Sequence, residues 1–179
     1  MILVNRDLLR RKVAQLLVVR ASGYCADSLR QYPTWELSNT ELKRLLAEGI
    51  GGVILFGGST TDLQHRCRTL NRWSNGPLLL CADVEEGVGQ RFPGGTWLAP
   101  PMALARIHRK DPEKALGLAE QYGSCIGAQA RLSGLNWVLA PVCDVNTNFL
   151  NPVINLRAWG EEPQTVSELV CAFQKGVSS

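Results

Sequence analysis

The chain has 179 residues, which is enough for one sizeable hydrophobic core but fewer than the roughly 250 residues of a complete (β/α)₈ barrel. Its 45% hydrophobic and 20% charged residues are typical of a soluble globular protein, and no apolar run reaches the length of a membrane span. The net charge of +3 comes with scattered basic residues such as Arg66 and Arg68, which we interpret as solvated helix faces and not as a nucleic-acid-binding arm.

The first third of the chain predicts a strand, a helix and a second strand. The apolar run 16–19 fits a buried first strand. The segment 37–48 predicts a helix, because Ser38 is a suitable N-cap and Glu41 stands at the position of its capping-box partner. Gly52–Phe56 reads GVILF between glycines, and such a continuous apolar run predicts a strand buried on both faces.

The remaining two thirds continue this alternation. A polar helix is predicted over 60–73, and an apolar strand over 78–82 follows the stop signal Asn-Gly-Pro. A helix over 112–132 begins at an Asp-Pro pair, which suits the first positions of a helix. A fourth strand is predicted over 137–142, and a final helix over 163–176.

Four apolar strands that alternate with four helices predict an α/β fold with a parallel sheet. The pattern fits part of a TIM-type (β/α)₈ barrel of about four βα units, and it also fits a doubly wound sheet. Periodicity alone leaves both architectures open.

Polar side chains gather where the strands end, which is the side of a parallel α/β fold that binds ligands. Asp83 follows the third strand, where its carboxylate is placed to accept hydrogen bonds from substrate hydroxyls or to cap the loop. Arg157 lies in the long loop 146–160, where its guanidinium is suited to a hydroxyl or a carboxylate.

Three further carboxylates lie at these strand ends, and the sequence leaves their roles open. Asp144 ends the fourth strand and fits either a ligand contact or a loop anchor. Glu85 and Glu86 are adjacent, so only one of them shares a face with Asp83 in an extended segment, and each fits a site role or a structural or surface role.

Other kinds of site have little support in the sequence. His65 and His108 lie away from strand ends, so we expect surface roles for both and no catalytic triad. No metal-ligand cluster or dinucleotide-binding glycine pattern occurs, and we expect neither a metal nor a cofactor.

The cysteines and the N-terminus predict a cytoplasmic protein. The six cysteines form no C-x-x-C pair, and Cys81 and Cys143 fall in apolar runs as small core residues, which favours a reducing compartment. Residues 1–9 carry early charges and are a poor signal peptide.

Six segments occur in the order found in one enzyme family. Together they resemble glycoside hydrolase family 3, particularly its bacterial β-N-acetylglucosaminidase branch. The segments are KVAQLLVV at 12–19, GIGGVILFG at 49–57, DVEEGVGQRF at 83–92, PPMAL at 100–104, LAPVCDVN at 139–146 and NPVINLRAWGEEP at 151–163.

The resemblance implies two substrate-binding residues. Asp83 matches the family's aspartate that binds hydroxyls of the sugar in the cleavage subsite, and Arg157 matches its arginine that also binds this sugar. The sequence departs from the family pattern nearby: Glu86 replaces a glycine, Val88 and Gly89 replace Arg and Val, and Ala158 and Trp159 replace Ser and Phe.

The resemblance also implies a missing half. The family continues with a K-H-F-P-G-H-G segment, an aspartate nucleophile and a loop histidine that acts as acid/base, and it retains configuration. We therefore expect residues 1–179 to be one domain, the N-terminal half of a β-N-acetylhexosaminidase or β-glucosidase barrel, with no catalytic residue and no activity by itself.

The alternatives are a non-catalytic sugar-binding remnant and, outside the family, a small nucleotide-binding α/β domain. A half-barrel leaves unpaired strand edges, so we expect it to aggregate, to self-associate or to pair with the missing half.

Overall fold

A computed structural model describes residues 6–179 and contains, within that range, six α-helices and a four-stranded parallel sheet. The strands are β1 Val18–Ser22, β2 Gly52–Phe56, β3 Leu79–Ala82 and β4 Trp137–Val138. The helices are α1 Arg6–Ala14, α2 Asn39–Glu48, α3 Thr60–Trp73, α4 Met102–His108, α5 Pro112–Ser133 and α6 Pro163–Val177.

The strand order decides between the two architectures that the sequence left open. The order is β1-β2-β3-β4, with Val18 opposite Gly52 and Gly52 opposite Leu79. A doubly wound sheet reverses its strand order at a switch point, whereas a barrel adds its strands sequentially. The predicted α/β class and partial (β/α)₈ barrel are therefore confirmed.

The chain divides into two compact units. The first unit comprises the described part of Met1–Ala82, together with Arg91–Gly94 and Leu132–Trp137. The second unit comprises Asp83–Gln90, Gly95–Arg131 and Val138–Ser179. The first unit contains α1, α2, α3 and most of the sheet, and the second contains α4, α5, α6 and the segments that follow β3 and β4.

The core of the first unit lies on one face of its sheet. Alternate strand residues are fully buried there together with the apolar side of α2 and α3, while Ile54 and Phe56 on the other face are only partly covered and Leu79 is exposed. The prediction that Gly52–Phe56 is buried on both faces is thus correct for one face. The core residues are Ala21, Val53, Leu55, Leu80, Ala82, Leu42, Leu46, Leu63, Cys67 and Leu70.

Helix α2 begins as its sequence predicts. The hydroxyl of Ser38 accepts a hydrogen bond from the Glu41 N–H, and the Glu41 carboxylate accepts one from the Ser38 N–H at 2.8 Å. This capping box satisfies N–H groups that have no partner inside the helix. The bounds of β2 also match their prediction to the residue, and α3 begins at Thr60, one of the two predicted starts, and ends near the predicted end.

Two strands were predicted with wrong bounds and one helix was missed. The first strand is displaced to Val18–Ser22, because the N–H groups of Leu16 and Leu17 continue the turn of α1 by bonding to Val13 and Ala14. The fourth strand ends at Val138 and not at 142, and Pro141 beyond it has no N–H for a ladder. Helix α4 was missed, since it is short and its N-cap, a proline, makes no side-chain cap.

Arg66 does not lie on a solvated helix face as predicted. It is 1% exposed, and its Nε donates to the Ser22 carbonyl at 3.0 Å while Nη1 donates to Asn39 Oδ1 at 2.8 Å. The guanidinium also lies 5.7 Å from the centre of the Trp73 ring. Burial lowers the pKa of Arg66, and these partners compensate for the lost hydration.

All six cysteines are free thiols. Cys81 is buried as predicted. Cys143, which was predicted to be a small core residue, is exposed and lies beyond the end of β4. Burial raises the pKa of the Cys67 thiol to about 12.

We predict that iodoacetamide at pH 8 alkylates the exposed Cys25, Cys143 and Cys171 while leaving Cys67 and Cys81 unmodified. Alkylation needs an accessible thiolate, and the Cys67 thiol stays protonated until far above pH 8. Peptide mass spectrometry measures the label at each site, and labelling in denaturant is the control. Rapid modification of Cys67 in the folded chain would contradict its placement in the core.

The predictions about a membrane span and a signal peptide are tested only in part. Across 6–179, no helix combines the length and the apolarity that crossing a bilayer requires. The prediction about a signal peptide concerns residues 1–9, of which 1–5 lie outside the described residues.

Candidate functional site

The candidate site lies in the second unit and begins where β3 ends. Asp83 directly follows the strand and is half-buried, and the chain then turns, with the Gly87 N–H bonded to the Val84 carbonyl at 3.1 Å. Gly87 has a φ of +105°, and a Cβ there would lie 2.3 Å from the Thr96 carbonyl oxygen, so the turn requires glycine. The turn buries the two carboxylates that follow Asp83.

Glu85 and Arg157 form the main ion pair of the site. Arg157 donates from Nε to Glu85 Oε2 at 2.8 Å and from Nη2 to Glu85 Oε1 at 2.6 Å, a two-pronged geometry. Its Nη1 also donates to the Val153 carbonyl at 2.8 Å. Glu85 had been left between a site role and a structural or surface role, and its burial excludes the surface role.

The carboxylates at the strand ends also attract the Arg157 guanidinium. The hydrogen bond from Glu85 raises the pKa of Arg157, and attraction by the Asp83 and Asp144 carboxylates raises it further. The structure therefore brings Asp83, Asp144 and Arg157 into one electrostatic cluster. Whether Asp144 contacts a ligand stays a prediction.

Glu86 anchors a different part of the site. Its Oε2 accepts a hydrogen bond from the indole Nε1 of Trp97 at 2.8 Å, and its carbonyl accepts one from the Leu98 N–H at 2.7 Å. Glu86 is buried, so a surface role is excluded for it as well. Glu86, which stands where the family pattern has a glycine, thus connects the turn after β3 to the segment that contains Trp97 and Leu98.

A cluster of three aromatic rings holds the loop that carries Arg157. The ring of Trp159, two residues further on and 1% exposed, lies 5.5 Å from that of Tyr122 and 5.1 Å from that of Phe173, measured between ring centres. The Tyr122 hydroxyl donates to the Ala99 carbonyl at 2.9 Å. Burial, with the nearby Glu86 carboxylate, raises the pKa of Tyr122, which stays a neutral donor at physiological pH.

The sequence carries one signal for this cluster. Trp159 stands where the family pattern has Phe, and a large aromatic side chain beside a polar loop is suited to anchoring it. What the sequence did not show is that α5 and α6 supply the partners Tyr122 and Phe173.

The predicted surface position is correct for one histidine and wrong for the other. His65 is exposed, as predicted, but His108 has a largely buried side chain whose Nε2 lies 2.9 Å from Glu168 Oε2. The predicted surface role of His108 is therefore wrong, since it joins α4 to α6. The hydrogen bond from Gln164 lowers the pKa of Glu168 most, and the hydrogen bond from His108 lowers it further. Within 6–179, no group of histidine, cysteine or carboxylate side chains is arranged to hold a metal ion.

The comparisons with known proteins agree on one family. The model of the glycosyl hydrolase family 3 N terminal domain matches residues 8–179. The chain is 34% identical over 149 residues to a β-hexosaminidase of Stenotrophomonas maltophilia (strain R551-3), covering 79% of this chain and 43% of that protein. A β-N-acetylglucosaminidase/β-glucosidase of Cellulomonas fimi is 30% identical over 130 residues, covering 73% of this chain and 22% of that protein.

Comparison with solved structures supports the same family. NagZ from Neisseria gonorrhoeae in complex with N-trifluoroacetyl-D-glucosamine has a TM-score of 0.72 and 28% identity, and the match covers 89% of this chain and 46% of that chain. The chain thus spans less than half the length of these relatives. Its strand-end site, its fold and the family model together show that this chain belongs to glycosyl hydrolase family 3, in the region of the family's N-terminal domain.

Proposed function

We propose that this chain provides the sugar-binding half of a retaining glycoside hydrolase that acts on β-linked N-acetylglucosamine or glucose. The observation that carries the proposal is the cluster of Asp83, Arg157 and their neighbouring carboxylates at the strand ends. The names of the relatives, β-hexosaminidase and β-N-acetylglucosaminidase/β-glucosidase, support this substrate class.

In this proposal Asp83 and Arg157 hold the sugar whose glycosidic bond is cleaved. The Asp83 carboxylate accepts hydrogen bonds from sugar hydroxyls, and the Arg157 guanidinium donates to other oxygen atoms of the same ring. A sugar fixed in this way is aligned for attack at its anomeric carbon, and alignment of this kind lowers the barrier to reaction.

The bond-breaking groups are proposed to come from elsewhere. A retaining glycosidase needs a nucleophile and an acid/base group, and we assign neither to this chain. We propose that residues 1–179 form one half-barrel domain, that the remaining half supplies both groups, and that no cofactor takes part. A cytoplasmic location and a role in carbohydrate metabolism complete the proposal, and the six free thiols support the location.

Hydrolysis of p-nitrophenyl N-acetyl-β-D-glucosaminide tests the proposal. We predict no turnover by the pure 179-residue chain. We predict turnover when the chain is joined to the C-terminal remainder of the S. maltophilia relative, a protein that we call the hybrid. The hybrid's circular dichroism spectrum verifies that it is folded.

Two outcomes would contradict this account. Robust turnover by the pure chain would show that it contains catalytic groups that we have not assigned. A folded hybrid without activity would instead favour a non-catalytic sugar-binding remnant.

A further inference from the structure

We infer that Glu85 is a positioning residue, which holds the Arg157 guanidinium in the orientation that binds a sugar. The inference rests on the proposed function, because it explains how one of the proposed sugar-binding groups is oriented.

The geometry leaves the Arg157 guanidinium little freedom. Its two hydrogen bonds to Glu85, at 2.8 Å and 2.6 Å, form a bidentate pair, and the bond to the Val153 carbonyl adds a third fixed point. The Glu85 side chain is only 7% exposed, so packing restricts its own movement. A fixed carboxylate therefore sets the position and plane of the arginine.

This arrangement leaves donors for a ligand. A guanidinium has five N–H groups, and three of them are used by Glu85 and Val153. Each terminal nitrogen carries one further N–H, and the Arg157 side chain is 37% exposed. N–H groups of this kind are suited to the oxygen atoms of a sugar ring.

Binding of N-acetylglucosamine to the hybrid tests the inference, with isothermal titration calorimetry as the readout. We expect Glu85→Ala to weaken binding about tenfold or more, the scale on which orienting partners act at metal sites. Glu85→Gln, which keeps the side-chain shape but loses the charge, should fall between Glu85→Ala and the wild type. Glu161→Gln is the matched control, since it removes another carboxylate that pairs with Arg106 and Arg109, and it should bind as the wild type does.

The outcomes separate the two proposals. Wild-type affinity in folded Glu85→Ala or Glu85→Gln would overturn the positioning role and leave the proposed function standing. If Glu85→Ala does not fold, Glu85→Gln alone decides. An absence of binding by the otherwise unchanged hybrid would overturn the proposed function, and this inference with it.

Discussion

Asp83→Ala in the hybrid lowers kcat/KM for the aryl glucosaminide by about 100- to 10,000-fold, and the protein stays folded. Two charge-assisted hydrogen bonds of about 1.5–3 kcal/mol each are lost, and every 1.4 kcal/mol or so corresponds to a factor of about ten in rate. Asp83 is half-buried at the end of a strand and does not belong to the apolar core. Steady-state kinetics and circular dichroism measure the two quantities.

The matched control for this variant is Asp111→Ala. Asp111 is exposed and its Oδ1 accepts the Lys114 N–H at the start of α5, so its loss should leave the kinetics unchanged. Unchanged kinetics in Asp83→Ala would refute the assignment of Asp83 to the sugar.

Trp159→Ala in the 179-residue chain should lower the free energy of unfolding by about 3–5 kcal/mol, the usual cost of removing a large aromatic side chain from a core. Trp159 is 1% exposed and contacts the rings of Tyr122 and Phe173, so its loss leaves a cavity beneath the loop of Arg157. Urea denaturation followed by circular dichroism measures the change.

Trp35→Ala is the matched control for this loss, because Trp35 is 71% exposed. It should cost less than about 1 kcal/mol, as surface substitutions usually do. Equal stability of the two variants would show that the aromatic cluster does not support the loop.

Local signals in the sequence predicted the elements that depend on them. The capping box at Ser38 and the glycine-bounded run of β2 are set by residues close in sequence, and both are found as predicted. The first strand was misplaced because the apolar residues Leu16 and Leu17 continue from a helix, and hydrophobicity alone does not separate a helical turn from a strand start.

Side-chain contacts between segments far apart in the chain could not be predicted from the sequence. Asp83 was proposed because it follows a strand and Arg157 because it lies in a long polar loop, and the family resemblance added a role for both; none of these signals needs knowledge of side-chain partners. Glu85 lies 72 residues from Arg157, and nothing in either segment marks the other as its partner. The burial of Arg66 and His108 was missed for the same reason, since Ser22 and Glu168 are remote in sequence.

A crystal structure of the hybrid with N-acetylglucosamine tests the central claim most directly, because it shows which side chains contact the sugar. The account predicts sugar oxygen atoms at about 2.6–3.2 Å from the Asp83 carboxylate and from the terminal nitrogens of Arg157, with Glu85 still paired to that arginine. An ordered sugar in the strand-end site that contacts neither Asp83 nor Arg157 would contradict it.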